Sequence, residues 1–407
     1  MMRRLLLLLA LLSVWLCVGG ASWCPPDSAL AALNAWMQAN AGDEQIAIEA
    51  HCYGGAMGVG ARVRRTVREG ESYASVPVSL VIGEATARSR SAELATLCDL
   101  LGAEHGNARV QAMQCMAVYL VLERRDDRDS FWHPYLAALP RSFEQLPVRF
   151  DDADIAELQA SHVRHSVERA RRVFAAHFEA LERVMLAHPD LVQPPASFDE
   201  FAWASSVVGT RAIWFPDSDA GPIAPHLVPL VDTVNCRQLE RAAAVHVSEI
   251  EGDAVVTRAQ QTFRAGEQLF ENYGKPNSHY FWMHGFSMEP NDAFDCVTVP
   301  LVFDDASSDT VCLSVPRLPR VLASYGGSGS AADSLASLVD EFRARYATTI
   351  AQDEALLAAI TDADAAGDVR AFRRRASIAF RLSEKRVLSS VRQELQRMAE
   401  NTVHQEL

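Results

Sequence analysis

Apolar residues recur along this chain at two different periods, and the chain changes character where the period changes. Leu30, Leu33 and Trp36 fall three apart, which predicts a short amphipathic helix over Pro26 to Asn40. Tyr53 to Ala61 reads as a glycine-rich turn. Arg62 to Thr66 and Ser72 to Val78 read as strands joined by the turn Arg68-Glu69-Gly70-Glu71. Helical spacing takes over from Thr86 to about Tyr119 through Leu94, Leu97, Leu101, Val110 and Met113, and returns over Asp152 to His188 and Phe198 to Ile213. Between these stretches the charge run Glu123 to Asp129 reads as a solvated loop, followed by aromatic bulk at Phe131-Trp132-His133-Pro134-Tyr135 before the stop at Pro140.

Short strands are expected again at Ala243 to Ser248, Ala254 to Ala259, Gln268 to Glu271 and Phe294 to Phe303. Beyond a Gly/Ser-rich break at Ser324 to Ser330 the pattern is helical from Ala332 to about Asn401, with Leu335, Leu338, Val339 and Phe342 marking one face. Strand-rich material therefore flanks a helical insert, and helices close the chain. That order predicts an α+β fold and argues against a doubly wound sheet, which needs regular strand-helix alternation.

Composition narrows the partners. With 52 acidic and 38 basic residues the formal charge is -14, which argues against grip on a nucleic-acid backbone and suits a basic protein substrate better. Met1-Met2-Arg3-Arg4, the apolar run Leu5 to Val18 and the small residues Gly19, Gly20 and Ala21 describe a secretory signal peptide over residues 1–21. The run is shorter than the roughly 20 apolar residues of a spanning helix; a signal anchor is the alternative. Entry into the secretory pathway is expected, ending in a secreted, lumenal or plastid location. Eight cysteines occur, one of them, Cys17, inside that leader. The remaining seven are an odd number, so any disulfide framework leaves one over. No Asn-x-Ser/Thr site occurs, and the cysteines and histidines form no zinc motif.

Several residues carry candidate chemistry. Gly58 and Gly60 leave bare backbone that a flat polar ligand can approach, although such glycines also serve ordinary turns. Asp232 and Asn235 follow the apolar Leu227 to Leu230, and Asn can donate and accept at once; the plain alternative is a cap. Arg211 can pair with a ligand carboxylate, or sit on the surface. Tyr273 ends an apolar strand just before Gly274, where a phenolic oxygen can orient a positive centre. Tyr280 to Phe286 is densely aromatic and reads as pocket wall or as core. A Ser-His-Asp hydrolase is set aside, because Gly327-Ser328-Gly329 lies in a linker and no Gly-x-Ser-x-Gly elbow follows a strand.

Taken in order, these segments resemble the SET-domain protein methyltransferases, in the branch with plant Rubisco large-subunit lysine methyltransferase and actin-histidine methyltransferase. The resemblance runs through Gly58 to Pro77, Ser130 to Pro140, Trp203 to Ala212, Pro229 to Asn235, Glu267 to Gly274 and Arg381 to Lys385. It implies a SET core of small β-sheets at residues 22–317 with a helical insert at about 85–200. Residues 318–407 would be a helical substrate-binding domain. It implies S-adenosylmethionine as cofactor, held by Gly58, Gly60, Arg211, Asp232, Asn235, Cys236, Tyr273 and Phe286. Tyr273 would be catalytic, with His284 and Phe286 at the substrate channel. The activity implied is protein-lysine N-methylation, with protein-histidine methylation or an inactive interaction module as alternatives. Two positions depart from the family pattern: Asn235-Cys236 replaces Asn-His, and His284-Gly285-Phe286 replaces Tyr-Gly-Phe.

Overall fold

The computed structural model describes residues 24–54, 57–216, 221–241, 244–291, 293–302, 308–324 and 329–406. Residues 1–21, expected to be a signal peptide, and the centre of the Gly/Ser-rich break lie outside the described residues. Helix α1 (Asp27–Ala41) buries Leu30, Leu33 and Met37 against strand β1 (Ile48–Gly54). The next strand, β2 (Gly58–Val63), pairs antiparallel with β1. The expected turn at 53–61 is thus mostly strand: Gly54 and Gly58, both at positive φ, close a tight reversal and free Gly60-Ala61 to pair. Strand β3 (Ser72–Pro77) follows in a separate sheet.

The helical insert starts with α2 (Glu84–Ser89), α3 (Ala92–His105) and α4 (Ala108–Asp126). Ser91 and Asn107 cap the starts of α3 and α4 by accepting from backbone amides. Helix α4 is apolar nearly all round, with Cys115 to Leu120 each buried, and so it runs through the centre of the main core. Its last turn contains part of the charge run expected to be a solvated loop. Glu123 is buried there, bonded to Arg90 and Ser130, while Arg90 also reaches Asp126 at 2.7 Å. Paired charges at a helix end can be buried where an isolated run cannot. Then come α5 (His133–Ala138), α6 (Asp152–Ala156), α7 (Val163–Ala187) and α8 (Phe198–Arg211). Ser197 and Glu200 form a capping box on α8, and Arg125 of α4 grips Glu200 with two nitrogens.

The chain next makes the hairpin β4 (Ile213–Pro216) and β5 (Ile223–His226), then the two-residue strand β6 (Asn235–Cys236). Strands β7 (Ser248–Glu251) and β8 (Ala254–Arg258) complete a three-stranded sheet in the order β3-β8-β7. Strand β9 (Gln268–Glu271) lies between β2 and β6, giving the order β1-β2-β9-β6; only the β9–β6 pairing in it is parallel. The strand expected at 243–248 is limited to its end. His246 pairs with the Asn272 carbonyl at 2.7 Å before β7 begins at Ser248.

A short helix α9 (Asn277–His279) runs into one π-helical turn, Tyr280–His284. The hairpin β10 (Val297–Val302) and β11 (Ser308–Leu313) precedes the closing helices α10 (Leu318–Ser324), α11 (Gly329–Ala344), α12 (Ile350–Ala358), α13 (Asp362–Gly367) and α14 (Val369–Glu406). Among them Leu335, Val339, Phe342, Leu388, Val391 and Leu395 form a second apolar cluster with Val297 and Leu313. The architecture is α+β. Three disulfides, Cys24–Cys52, Cys98–Cys115 and Cys296–Cys312, leave Cys236 as the one cysteine outside them among the described residues.

The closing helices are held by a buried ionic cluster. Asp353 is fully buried and accepts from Arg381 at 2.8 Å, Lys385 at 2.5 Å and Thr348 at 2.7 Å. Arg381 also donates to Glu157 at 2.8 Å, tying α14 to the end of α6. Burial alone would raise the Asp353 pKa; its bonds to Arg381, Lys385 and Thr348 outweigh that and hold it below the usual carboxylate range. Asp353→Ala would strand two cations in the interior. It is expected to cost about 3–5 kcal/mol, read as a lower urea midpoint with the secondary structure kept, whereas an exposed control such as Glu341→Ala should shift the midpoint little.

Candidate active site

Two cavities meet at Tyr273. The first, about 380 Å³, lies between Met57-Gly58-Val59, the segment 138–146, the run 232–236 and the side chains of His284 and Phe286. The second, about 720 Å³, lies among Ala212 to Trp214, His246-Val247-Ser248, Glu271, Lys275 and Met283. Thr210, Arg211, Asp232, Val234, Tyr273 and His284 line both. Both volumes fall within the roughly 300–1,000 Å³ usual for small-molecule sites. One side of the phenol thus faces each cavity.

The partition between them is built from backbone pairing. Strand β6 lies parallel to β9, placing Asn235 beside Phe270 and Cys236 beside Glu271. Tyr273, two residues past the end of β9, donates its hydroxyl hydrogen to the Val234 carbonyl at 2.6 Å. Burial, with Cys236 and Glu271 nearby, pushes that hydroxyl well above the ordinary tyrosine range. It is therefore a phenol at neutral pH, with its hydrogen committed and its oxygen lone pairs left to face the junction.

Asn235 donates to the carbonyls of Met57 at 3.0 Å and Val59 at 3.2 Å, fixing the edge of β2 that carries Gly58. Gly58, at φ +53°, lines the first cavity as expected. Gly60 does not line it. It is buried one layer behind, where a Cβ would strike Gln268 and lie 2.8 Å from the Asn235 amide. Its glycine is required by close packing rather than by ligand contact.

Asp232 and Arg211 form one unit. The Asp232 side chain is fully buried, accepting from Tyr135 at 2.7 Å and from Arg211 at 3.4 Å, while Arg211 also donates to the Asp232 backbone carbonyl at 3.1 Å. Burial raises the Asp232 pKa, with Arg211 and Tyr135 opposing it. Its second oxygen, Oδ1, is buried with no hydrogen-bond partner among the described residues. An orphaned acceptor on the boundary of two cavities suits a ligand N–H or ammonium group. Tyr135 is a site residue that residue-by-residue reading missed; its signal was the aromatic block at 131–135, whose tyrosine reaches across to Asp232 from α5.

Cys236 lines the first cavity and packs with Tyr280 and Met288, its sulfur 4.0 Å from that of Met288. Phe286 stacks on Tyr280 at 5.2 Å and lines the first cavity but not the second. His284 lines both. Burial, with the nearby His279, depresses it to about 3, so the ring is neutral at physiological pH despite a bond to the Thr210 backbone. Where the family pattern has a phenol, this chain places an uncharged imidazole 5.8 Å from the Tyr273 ring. Among the described residues no cluster suited to a metal ion occurs.

Comparison with known proteins bears on the fold and on the carboxy-terminal segment. Residues 330–388 match the family model for the Rubisco LSMT substrate-binding unit, a span that contains Asp353, Arg381 and Lys385. Actin-histidine N-methyltransferases of Canis lupus familiaris and Homo sapiens are 27% identical over 251 residues, which is 60% of this chain and 40% of theirs. The chain thus spans about two fifths of the length of these curated relatives. Two solved structures share the fold. The SET domain of LSMT bound to lysine and AdoHcy matches at TM-score 0.66 and 18% identity, and Rubisco LSMT bound to AdoMet at 0.65 and 17%. Each covers 91% of this chain and 92% of the other. The chain thus has the fold of the LSMT SET domain and is similar in sequence to actin-histidine N-methyltransferases, with a segment that matches the Rubisco LSMT substrate-binding model.

Proposed function

We propose that this protein is an S-adenosylmethionine-dependent protein N-methyltransferase whose acceptor is a lysine side chain. The observation that carries the reading is the Tyr273 phenol at the junction of two cavities, its hydrogen held by the Val234 carbonyl. Such a junction lets a donor enter from one side and an acceptor nitrogen from the other, so that the reacting atoms meet in line with water kept out. The first cavity fits the cofactor. The backbone at Gly58, the clamp of Asn235 on Met57 and Val59, and the Arg211–Asp232 pair offer the mix of bare amide, carbonyl and charge that an amino-acid-bearing nucleoside needs. When bound, S-adenosylmethionine supplies an electrophilic methyl group on a positive sulfur.

This chain's residues then do the rest. Tyr273 presents lone pairs toward positive charge, and the neutral His284 adds no competing cation. Lysine as acceptor is favoured by the fold match to an LSMT structure bound to lysine and by the Rubisco LSMT substrate-binding segment. Histidine is the second reading, favoured by the names of the sequence relatives. Protein substrates are inferred from the same two sources.

We further propose entry into the secretory pathway. Supporting it are the leader-like residues 1–21 and three disulfides, which form and persist where the environment is oxidising. Tagged protein with and without residues 1–21 should distribute differently, and identical cytosolic distribution would remove the proposal.

Tyr273→Phe should lower methyl transfer from labelled S-adenosylmethionine into protein by roughly a hundredfold or more, with cofactor affinity changed far less. Unaltered turnover would refute the assigned role. Mass spectrometry of the labelled residue separates lysine from histidine.

A further inference from the structure

The second cavity holds a histidine that the methyl-transfer reading has not used. His246 lines it together with Ser248, Glu271 and Tyr273. The ring is built in from several directions. Its backbone amide donates to the Asn272 carbonyl at 2.7 Å, alongside the chain leading from β9 to Tyr273. Gly274, at φ +69°, permits that approach, because a Cβ there would lie 2.5 Å from Val245 Cγ1. Nδ1 bonds to Glu271 Oε2, and the other oxygen of Glu271 accepts from Tyr73, so the carboxylate is pinned from both sides. Nε2 lies 2.9 Å from Ser248 Oγ, which in turn sits 2.9 Å from Thr257 Oγ1. A carboxylate only accepts, so Nδ1 carries a hydrogen and Nε2 is the nitrogen left to take a proton.

We propose that His246, positioned by Glu271, is the proton acceptor that readies the substrate nitrogen for methyl transfer; the inference rests on the reading of this site as an N-methyltransferase. An ammonium has no lone pair. Its proton passes to the Ser248 hydroxyl as that hydroxyl hands its own to His246 Nε2. The freed lone pair forms the N–CH₃ bond while the C–S bond breaks, its electron pair staying on sulfur. Charge balances: one cation is lost at sulfur, and one proton leaves through the imidazole to solvent.

The surroundings suit that task. Burial works against a charged ring, but Glu271 outweighs it and holds His246 above the ordinary histidine range, nearer to an amine's own pKa. The other ionisable groups facing the cavity are Arg211, Asp232, Lys275, His279 and His284, with Arg109 at the rim and Tyr273 at the junction. His279 and His284 are both depressed by burial, and Asp232 is engaged by Arg211 and Tyr135. His246 is the histidine in the cavity with a carboxylate at its back.

The test uses the full mature chain, labelled S-adenosylmethionine, and as acceptor the proteins of its own source extract that the wild type labels. Between pH 6 and 10, His246→Gln should lower the rate roughly a hundredfold at pH 7 and approach wild type near pH 10, where the amine sheds its proton unaided. Glu271→Gln should move the acid limb to lower pH. A uniform fall across the whole range would mark a structural role and overturn the proposal. Histidine NMR on the cofactor-free protein gives an independent readout. His246 should titrate above the ordinary range and drop in Glu271→Gln; titration at or below that range in the wild type overturns the proposal as well. If the wild type labels but His246→Gln keeps its pH profile, only this inference fails. If the wild type labels nothing at any pH, the methyltransferase reading fails with it.

Discussion

A two-residue parallel pairing is the constraint on which the site depends. Asn235 and Cys236 of β6 lie against Phe270 and Glu271 of β9, joining segments more than thirty residues apart with very little ladder. So short a pair is weak on its own, and neighbours reinforce it. The Tyr273 hydroxyl bonds the Val234 carbonyl just before β6, and the Asn235 amide bonds the β2 edge at Met57 and Val59. Each bond also positions a group at the cavity junction, so the contacts that hold the sheet together are those that shape the site.

The same economy governs charge. Every buried acid near the junction is engaged by a neighbour: Asp232 by Arg211 and Tyr135, Glu271 by Tyr73 and His246. Isolated, these carboxylates would be prohibitively expensive to bury. Engaged, they fix phenol and imidazole orientations that a loop alone would leave free. The orphaned Asp232 Oδ1 is the exception, buried without a hydrogen-bond partner among the described residues on a residue that lines both cavities.

The closing helices follow a parallel logic at a distance. Arg381 and Lys385, read in the sequence as a family signature, converge on Asp353, and Arg381 continues to Glu157. Their place is structural: the cluster seats the carboxy-terminal helices against the helical insert. Through π-stacking of Phe281 on Phe380 at 4.7 Å, α14 also buttresses the turn that carries His284.

Much of this was legible from residue order. Helical period marked α1, α7, α8 and the closing helices, because burial of one face dictates spacing whatever the partner. Gln268 to Glu271 was read to the residue, and the ordered motifs named the fold and brought Gly58, Arg211, Asp232, Asn235, Cys236, Tyr273, His284 and Phe286 together. Other features depended on contacts far apart in the chain. Gly60 belongs behind the cavity because Asn235 and Gln268 occupy the space a side chain would need, and Glu123 is buried because Arg90 lies above it. His246, in a stretch read as an ordinary strand, gains its character only when Glu271 is folded against it. Local spacing determines which elements form; only tertiary contact decides which polar groups are desolvated together, and desolvation is what gives them their chemistry.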